Sequence, residues 1–143
     1  AVRVCNPAGV IADTVRSREP ITLEIAYRLN APVQGLRVGI YLMSTRGEYI
    51  LTSFDTDDPE KFERYGTRAP GEYVSRCVLP ADFLNEGRYV IGVNASSFRM
   101  RRYFQDEQAL TFNVDAAGAP GTQWPELRLG PVRPRLDWEI KVV

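Results

Sequence analysis

Apolar and polar residues alternate along much of this chain. From Ile21 to Arg28, Ile21, Leu23, Ile25 and Tyr27 fall on one side and Thr22, Glu24 and Arg28 on the other, the period-two signature of a strand buried on one face. The segment Leu36 to Met43 repeats it with Leu36, Val38, Ile40 and Leu42 as the core set, and Ser44-Thr45-Arg46-Gly47 reads as a hairpin turn into a strand from Glu48 to Phe54. Further strands are expected from Gly71 to Leu79, from Arg88 to Ser97 with Tyr89, Ile91, Val93 and Ala95 in phase, and from Ala109 to Asp115 with Leu110, Phe112 and Val114 inward. Residues 55–70 lack sustained alternation and read as a long polar loop with room for one short helical turn, and Pro80 to Leu84 reads as a single helical turn. Roughly six or seven strands separated by Gly, Pro, Asn and Asp turns, without a helix of useful length, predict an all-β, antiparallel β-sandwich of immunoglobulin-like or jelly-roll type. The spacing does not choose between the two.

After Asp115 the pattern changes. Ala116 to Gly121 reads as a flexible connector, and the tail beyond it carries both tryptophans, Trp124 and Trp138, among several prolines. Such apolar groups are expected to dock, while the prolines confine the tail to an edge strand or an extended arm. The organisation expected is therefore a sandwich over 1–115, a connector over 116–123 and a C-terminal arm over 124–143, an extended strand suited to exchange between two copies, with Trp124, Leu136 and Trp138 as its dimerisation residues.

Composition removes several function classes. With 143 residues, 44% apolar and 25% charged, the chain has the makings of one soluble folded domain. Eighteen basic residues balance eighteen acidic ones, so the positive field that nucleic-acid binding uses is missing. Arg, Glu, Gly or Pro interrupts every apolar run well short of the ~20 residues of a membrane span. Histidine is absent, which withdraws the commonest general base and metal ligand, and the two lysines, Lys61 and Lys141, lie in segments read as loop and terminus. No phosphate-binding glycine loop occurs, so no cofactor is expected. The acidic run Asp55 to Glu60 lacks the central Gly and terminal Glu of a calcium loop and reads as a solvated loop neutralised by Lys61 and Arg64. An enzyme using Asp57 and Glu60 as a carboxylate pair is a remote reading. The Arg/aromatic run Phe98 to Phe104 reads as a loop, and Cys5 and Cys77 as buried free thiols rather than a disulfide.

The outward face of the strands holds the candidate chemistry. Opposite the core set stand Arg37, Gly39, Tyr41 and Met43 on one strand and Val90, Gly92, Asn94 and Ser96 on another. If those strands are neighbours, Gly39 and Gly92 floor a shallow trough walled by Arg37, Tyr41, Asn94 and Arg76, since an outward glycine permits close approach of a ligand. Such a trough suits a sugar, which stacks a ring face on an aromatic and exchanges hydrogen bonds with Arg, Asn and Ser. By pattern alone the favoured reading is a solvated sheet with glycines placed for bulges.

A resemblance shifts that balance. The order Pro20-x-Thr-Leu-Glu-Ile-x-Tyr27, Val38-Gly39-Ile40-Tyr41, Arg46-Gly47, Pro70-Gly71-Glu72-Tyr73, Leu84-Asn85-Glu86-Gly87-Arg88-Tyr89 and the closing Gly130-Pro131 to Trp138 resembles the C-terminal domain of Wzt-type ATPases. These are the nucleotide-binding subunits of bacterial ABC transporters that export O-antigen polysaccharides. The resemblance implies a non-catalytic carbohydrate-binding module that recognises the exported glycan, often at its non-reducing end, and dimerises by exchanging its C-terminal strand. It places the domain in the cytoplasm, peripheral to the inner membrane, attached to the transporter through an ATPase domain preceding Ala1. The alternative is a structural dimerisation or adhesion module whose outer sheet faces only water.

Overall fold

The computed structural model describes residues 1–97 and 101–142. Strands β1 (Val2–Cys5), β2 (Thr14–Arg16), β3 (Ile21–Leu29), β4 (Val33–Gln34), β5 (Leu36–Ser44) and β6 (Tyr49–Phe54) precede helix α1 (Pro59–Tyr65), and β7 (Thr67–Arg68), β8 (Gly71–Leu79), β9 (Gly87–Ser97) and β10 (Arg101–Asp115) follow it. They form a three-stranded sheet, β1-β3-β8, a five-stranded sheet, β2-β10-β9-β5-β6, and a two-stranded ribbon, β4-β7. Pairing is antiparallel except between β2 and the end of β10. The chain is thus a β-sandwich, as the alternation predicted.

The core is built from the residues the alternation selected. Ile21, Leu23 and Ile25 of β3 and Leu36, Val38, Ile40 and Leu42 of β5 are buried, as are Tyr89, Ile91, Val93 and Ala95 of β9 and Phe112 and Val114 of β10. Tyr27 is only half-buried. Each strand gives alternate side chains to the space between the sheets, and burying one Leu or Ile there contributes about 1.5–3 kcal/mol.

Several expected boundaries move. Helix α1 crosses the segment read as loop, started by Asp58, whose side chain accepts from the Glu60 N–H, and by Pro59 in the first turn. Pro80 to Leu84 is not helical. Asp82 takes a left-handed backbone (φ 57°), which an Asp tolerates better than most residues, and Leu84 bridges to Val132. Strand β10 begins at Arg101, so part of the Arg/aromatic run read as loop is strand; Phe98, Arg99 and Met100 lie outside the described residues. Strands β1 and β2, too short for a clear period, were not anticipated. Cys5 and Cys77 are free thiols, but only Cys5 is buried as expected; Cys77, at the edge strand β8, is partly exposed. They stand on opposite faces of the small sheet, Cys5 aligned with Thr22 and Cys77 with Leu23.

The arm divides into two parts. The Asn85 Nδ2 donates to the carbonyls of Arg128 and Gly130, each at 2.8 Å, and the buried Arg133 donates from Nε to the Pro120 carbonyl at 2.8 Å. Tyr89 closes this clamp, its single hydroxyl proton shared between the carbonyls of Asn85 (2.7 Å) and Pro131 (2.8 Å). Beyond it, the segment from Pro134 to Val142 has no regular structure. There Leu136 is 65%, Trp138 86% and Ile140 92% exposed.

Burial pushes the Tyr89 phenol up to about 12. Below pH 10 the phenol is protonated in folded and unfolded chains alike; between pH 10 and 12 only the unfolded chain releases its proton. Stability should therefore fall by about 3 kcal/mol over that interval from this group alone. Urea unfolding at pH 9 to 12 is expected to show a smaller fall for Tyr89→Phe than for the unsubstituted chain.

Candidate functional site

Strands β5 and β9 are neighbours, and their register sets the outward residues in pairs: Arg37 opposite Ser96, Gly39 opposite Asn94, Tyr41 opposite Gly92 and Met43 opposite Val90. Opposed residues share a face, so Arg37, Gly39, Tyr41, Gly92, Asn94 and Ser96 do come together. Strand β6 extends the same face with Phe54 opposite Gly39 and Thr52 opposite Tyr41. Arg76 is elsewhere. It lies on β8, which pairs with β3, and its Nη2 and Nε donate to Glu24 Oε2 at 2.8 and 3.2 Å. That bond, more than any other influence, holds the Glu24 carboxyl below its ordinary value.

The glycines serve the chain itself rather than an open trough. A Cβ on Gly39 would stand 2.5 Å from Phe54 Cδ1; the missing side chain lets the Phe54 ring lie across β5. A Cβ on Gly92 would stand 3.0 Å from the Glu107 carbonyl oxygen and 3.2 Å from Met43 Cε. The register of β10 slips between Asp106 and Leu110, and the resulting bulge brings Glu107 over β9. Gly39 and Gly92 are both buried. A trough floored by bare glycine backbone is thus replaced by a face on which Phe54 and Glu107 cover the glycines.

What remains open is flanked by aromatic groups. At one end the Arg37 guanidinium lies 4.3 Å from the Phe54 ring centroid, and its Nε donates to Ser96 Oγ at 3.4 Å. At the other, Tyr41 and Tyr49 meet edge to face with centroids 5.6 Å apart. Between them a short hydrogen-bonded row crosses from β9 to β10. Asn94 Nδ2 donates to Gln105 Oε1 at 3.1 Å, and Gln105 Nε2 donates to Glu107 Oε1 at 3.0 Å. An ionised Glu107 only accepts, so it turns the Gln105 amide, which in turn turns Asn94. Among the described residues the buried Asn94 Oδ1 has no hydrogen-bond partner, and Asn94 is 5% exposed. An orphaned buried acceptor costs about 1–3 kcal/mol.

Phe54, Tyr49, Gln105 and Glu107 were not singled out by sequence. Phe54 and Tyr49 are legible once β6 is paired with β5. Gln105 and Glu107 were hidden because β10 was expected to start at Ala109.

The acidic run is used structurally. Asp57 Oδ2 accepts from the Phe54 N–H and Asp58 Oδ1 from the Glu60 N–H, both at 3.0 Å. Asp55 pairs with the buried Arg68 at 2.9 Å rather than with Lys61 or Arg64. Among the described residues, no three His, Cys, Asp or Glu side chains are grouped to hold a metal ion, and no helix is long and apolar enough to cross a membrane.

Comparison with known proteins bears on this geometry. The family model described as "Wzt C-terminal domain" matches residues 1–124. A solved structure titled "Crystal structure of the C-terminal domain of wzt" superposes with a TM-score of 0.72 at 9% sequence identity, over 98% of this chain and 81% of that one. At that identity the likeness is one of fold. No curated protein matches.

If the glycines are required by the chain's own packing, Gly39→Ala must displace Phe54 or β6. It is expected to lower stability by about 1–3 kcal/mol in urea unfolding. An unchanged midpoint would mean that the position is open to ligand after all.

Proposed function

Because the chain belongs to the Wzt C-terminal domain family, we propose that it is a non-catalytic carbohydrate-binding module that recognises the O-antigen polysaccharide carried by an ABC transporter, with the outer face of the five-stranded sheet as its binding surface. The observation that carries this reading is the orphaned Asn94 Oδ1, buried on a face flanked by the Tyr41 and Phe54 rings. A sugar meets both demands. As the Gln105–Glu107 cover gives way, one hydroxyl donates to the Asn94 oxygen, its neighbours meet Ser96 or Gln105, and the C–H face of the ring lies on Tyr41. On this reading Arg37 serves by bracing Phe54 as much as by direct contact, and Arg76 is left out of the site. The ATPase activity belongs to a separate domain of the transporter, which holds this module at the cytoplasmic side of the inner membrane.

The same proposal includes a homodimer. In the arm, Leu136, Trp138, Ile140 and Val142 alternate with Asp137, Glu139 and Lys141, the pattern of a half-buried strand, yet all four apolar residues are exposed. A second copy offers the free sheet edge such a strand needs, and the Asn85 clamp fixes where the arm leaves its own domain. Trp124 is also exposed and stands before the clamp, so its part in dimerisation is secondary to that of Leu136 and Trp138.

Titration calorimetry with the polysaccharide of the producing strain, against an unrelated polysaccharide as control, tests glycan recognition. Asn94→Ala and Tyr41→Ala are each expected to weaken binding about tenfold or more. Binding to neither polysaccharide would leave the purely structural module as the reading. Deleting residues 136–143 is expected to convert a dimer to a monomer in analytical ultracentrifugation, and the monomer should still unfold cooperatively because the deletion spares the clamp.

A further inference from the structure

The three-stranded sheet does not cover the five-stranded one on the β6 side, and a cleft of about 670 Å³ opens there between β6, α1 and the free edge of β8. Its volume lies within the range of about 300–1,000 Å³ typical of small-molecule sites. The cleft is reached from the interior side of β5 and β6, and Gly39 and Phe54 border both it and the outer face. Strand alternation serves both: Ser53 faces inward opposite Ile40 while Phe54 faces outward opposite Gly39.

The lining combines three kinds of group. Leu23, Ile25, Val38 and Ile40 supply an apolar floor from the core. A polar network closes one part of it: Ser75 Oγ donates to Asp55 Oδ2 at 2.6 Å and meets the Tyr27 hydroxyl at 3.1 Å, and Arg68 donates to both Asp55 and Tyr27. The rim carries the face of α1 that presents Lys61 and Tyr65, four residues apart, together with Asp57 and Asp58. The rim groups keep unused capacity. Asp57 and Asp58 each engage one carboxylate oxygen in the hydrogen bonds described, Lys61 has no ion pair among the described residues, and Tyr65 is 42% exposed, with the Arg64 guanidinium 5.3 Å from its ring centroid.

Acceptors, the exposed donors Lys61 and Arg76 and an exposed aromatic ring over an apolar floor suit a hydroxylated ring. Charge argues for a neutral one. An anion would face Asp57, Asp58 and Glu72, and a cation would face Lys61 and Arg76, with Arg68 behind them paired to Asp55. We propose that this inter-sheet cleft is a second saccharide-binding site, taking an uncharged pyranose unit. The inference rests on the saccharide reading above and extends it: a repeating polysaccharide reaching both sites binds with an avidity that neither site provides alone.

Cys77 lines the cleft, whereas Cys5 is buried away from it, so alkylation of Cys77 reports occupancy. Short oligosaccharides cut from the producing strain's polysaccharide are titrated into the full chain, with calorimetric stoichiometry and the rate of Cys77 alkylation, read by mass spectrometry, as the two measurements. The expected result is two sites per chain and slowed Cys77 alkylation at saturation. Lys61→Ala and Tyr65→Ala, on a helix with no buried residue, should each weaken the protecting site about tenfold and leave the other unchanged; Asn94→Ala should do the reverse. Oligosaccharide binding that leaves Cys77 alkylation unchanged, or protection that survives both helix substitutions, overturns the cleft. Protection of Cys77 with Asn94→Ala inert overturns the outer face and keeps the cleft, while no binding of any oligosaccharide overturns both.

Discussion

The two layers of this sandwich are unequal, three strands against five, and the side on which they fail to close is held by a single carboxylate. Asp55 Oδ1 accepts from the Val38 N–H of β5 at 3.0 Å, while its Oδ2 takes Ser75 of β8 and Arg68 of β7. One side chain thereby ties the large sheet, the small sheet and the connecting ribbon. Arg68 is 4% exposed. Burial works against its charge, but the hydrogen bond and charge of Asp55 outweigh that and hold the guanidinium firmly protonated. Leaving either partner alone would strand a buried charge, the costly way to break such a pair. The position of α1, the open cleft and the exit of β6 follow from this junction.

The outer face of the large sheet obeys a related constraint. Gly39 and Gly92 are absences of side chain that allow Phe54 and the Glu107 bulge to close over the sheet. That closure buries Asn94 and, through the direction imposed by Glu107, leaves its oxygen unmatched. A leucine at 94 would pack without an orphaned acceptor, so the amide there costs stability that an apolar side chain would not. The exposed apolar alternation of the arm is a comparable cost, carried on an otherwise well-packed domain.

Much of the fold was legible in the chain because a half-buried strand writes its environment into its sequence. Leu36, Val38, Ile40 and Leu42 alternate with smaller or polar groups, and all four are in the core. The family motifs could be read for the same reason, being turns and strand starts with fixed residue needs. The site was half legible. The outward set on β5 and β9 was brought together as expected, because strand alternation fixes a face once two strands are adjacent. Arg76 was misplaced because nothing in a strand's own pattern says which sheet it joins, and β8 joined β3.

By itself the sequence determined the sandwich, the inward residues of β3, β5, β9 and the end of β10, and the unusual amphipathic character of the arm, all of them periodicities that act over a few residues. Only the tertiary structure decided that two glycines would be covered by Phe54 and Glu107, that Asn94 would keep an unpaired oxygen, that Asp55 would choose Arg68 over Lys61, and that a cleft would open beside β6. Each of these depends on which strands are neighbours and in what register, and a register is set by long-range packing that no local pattern encodes.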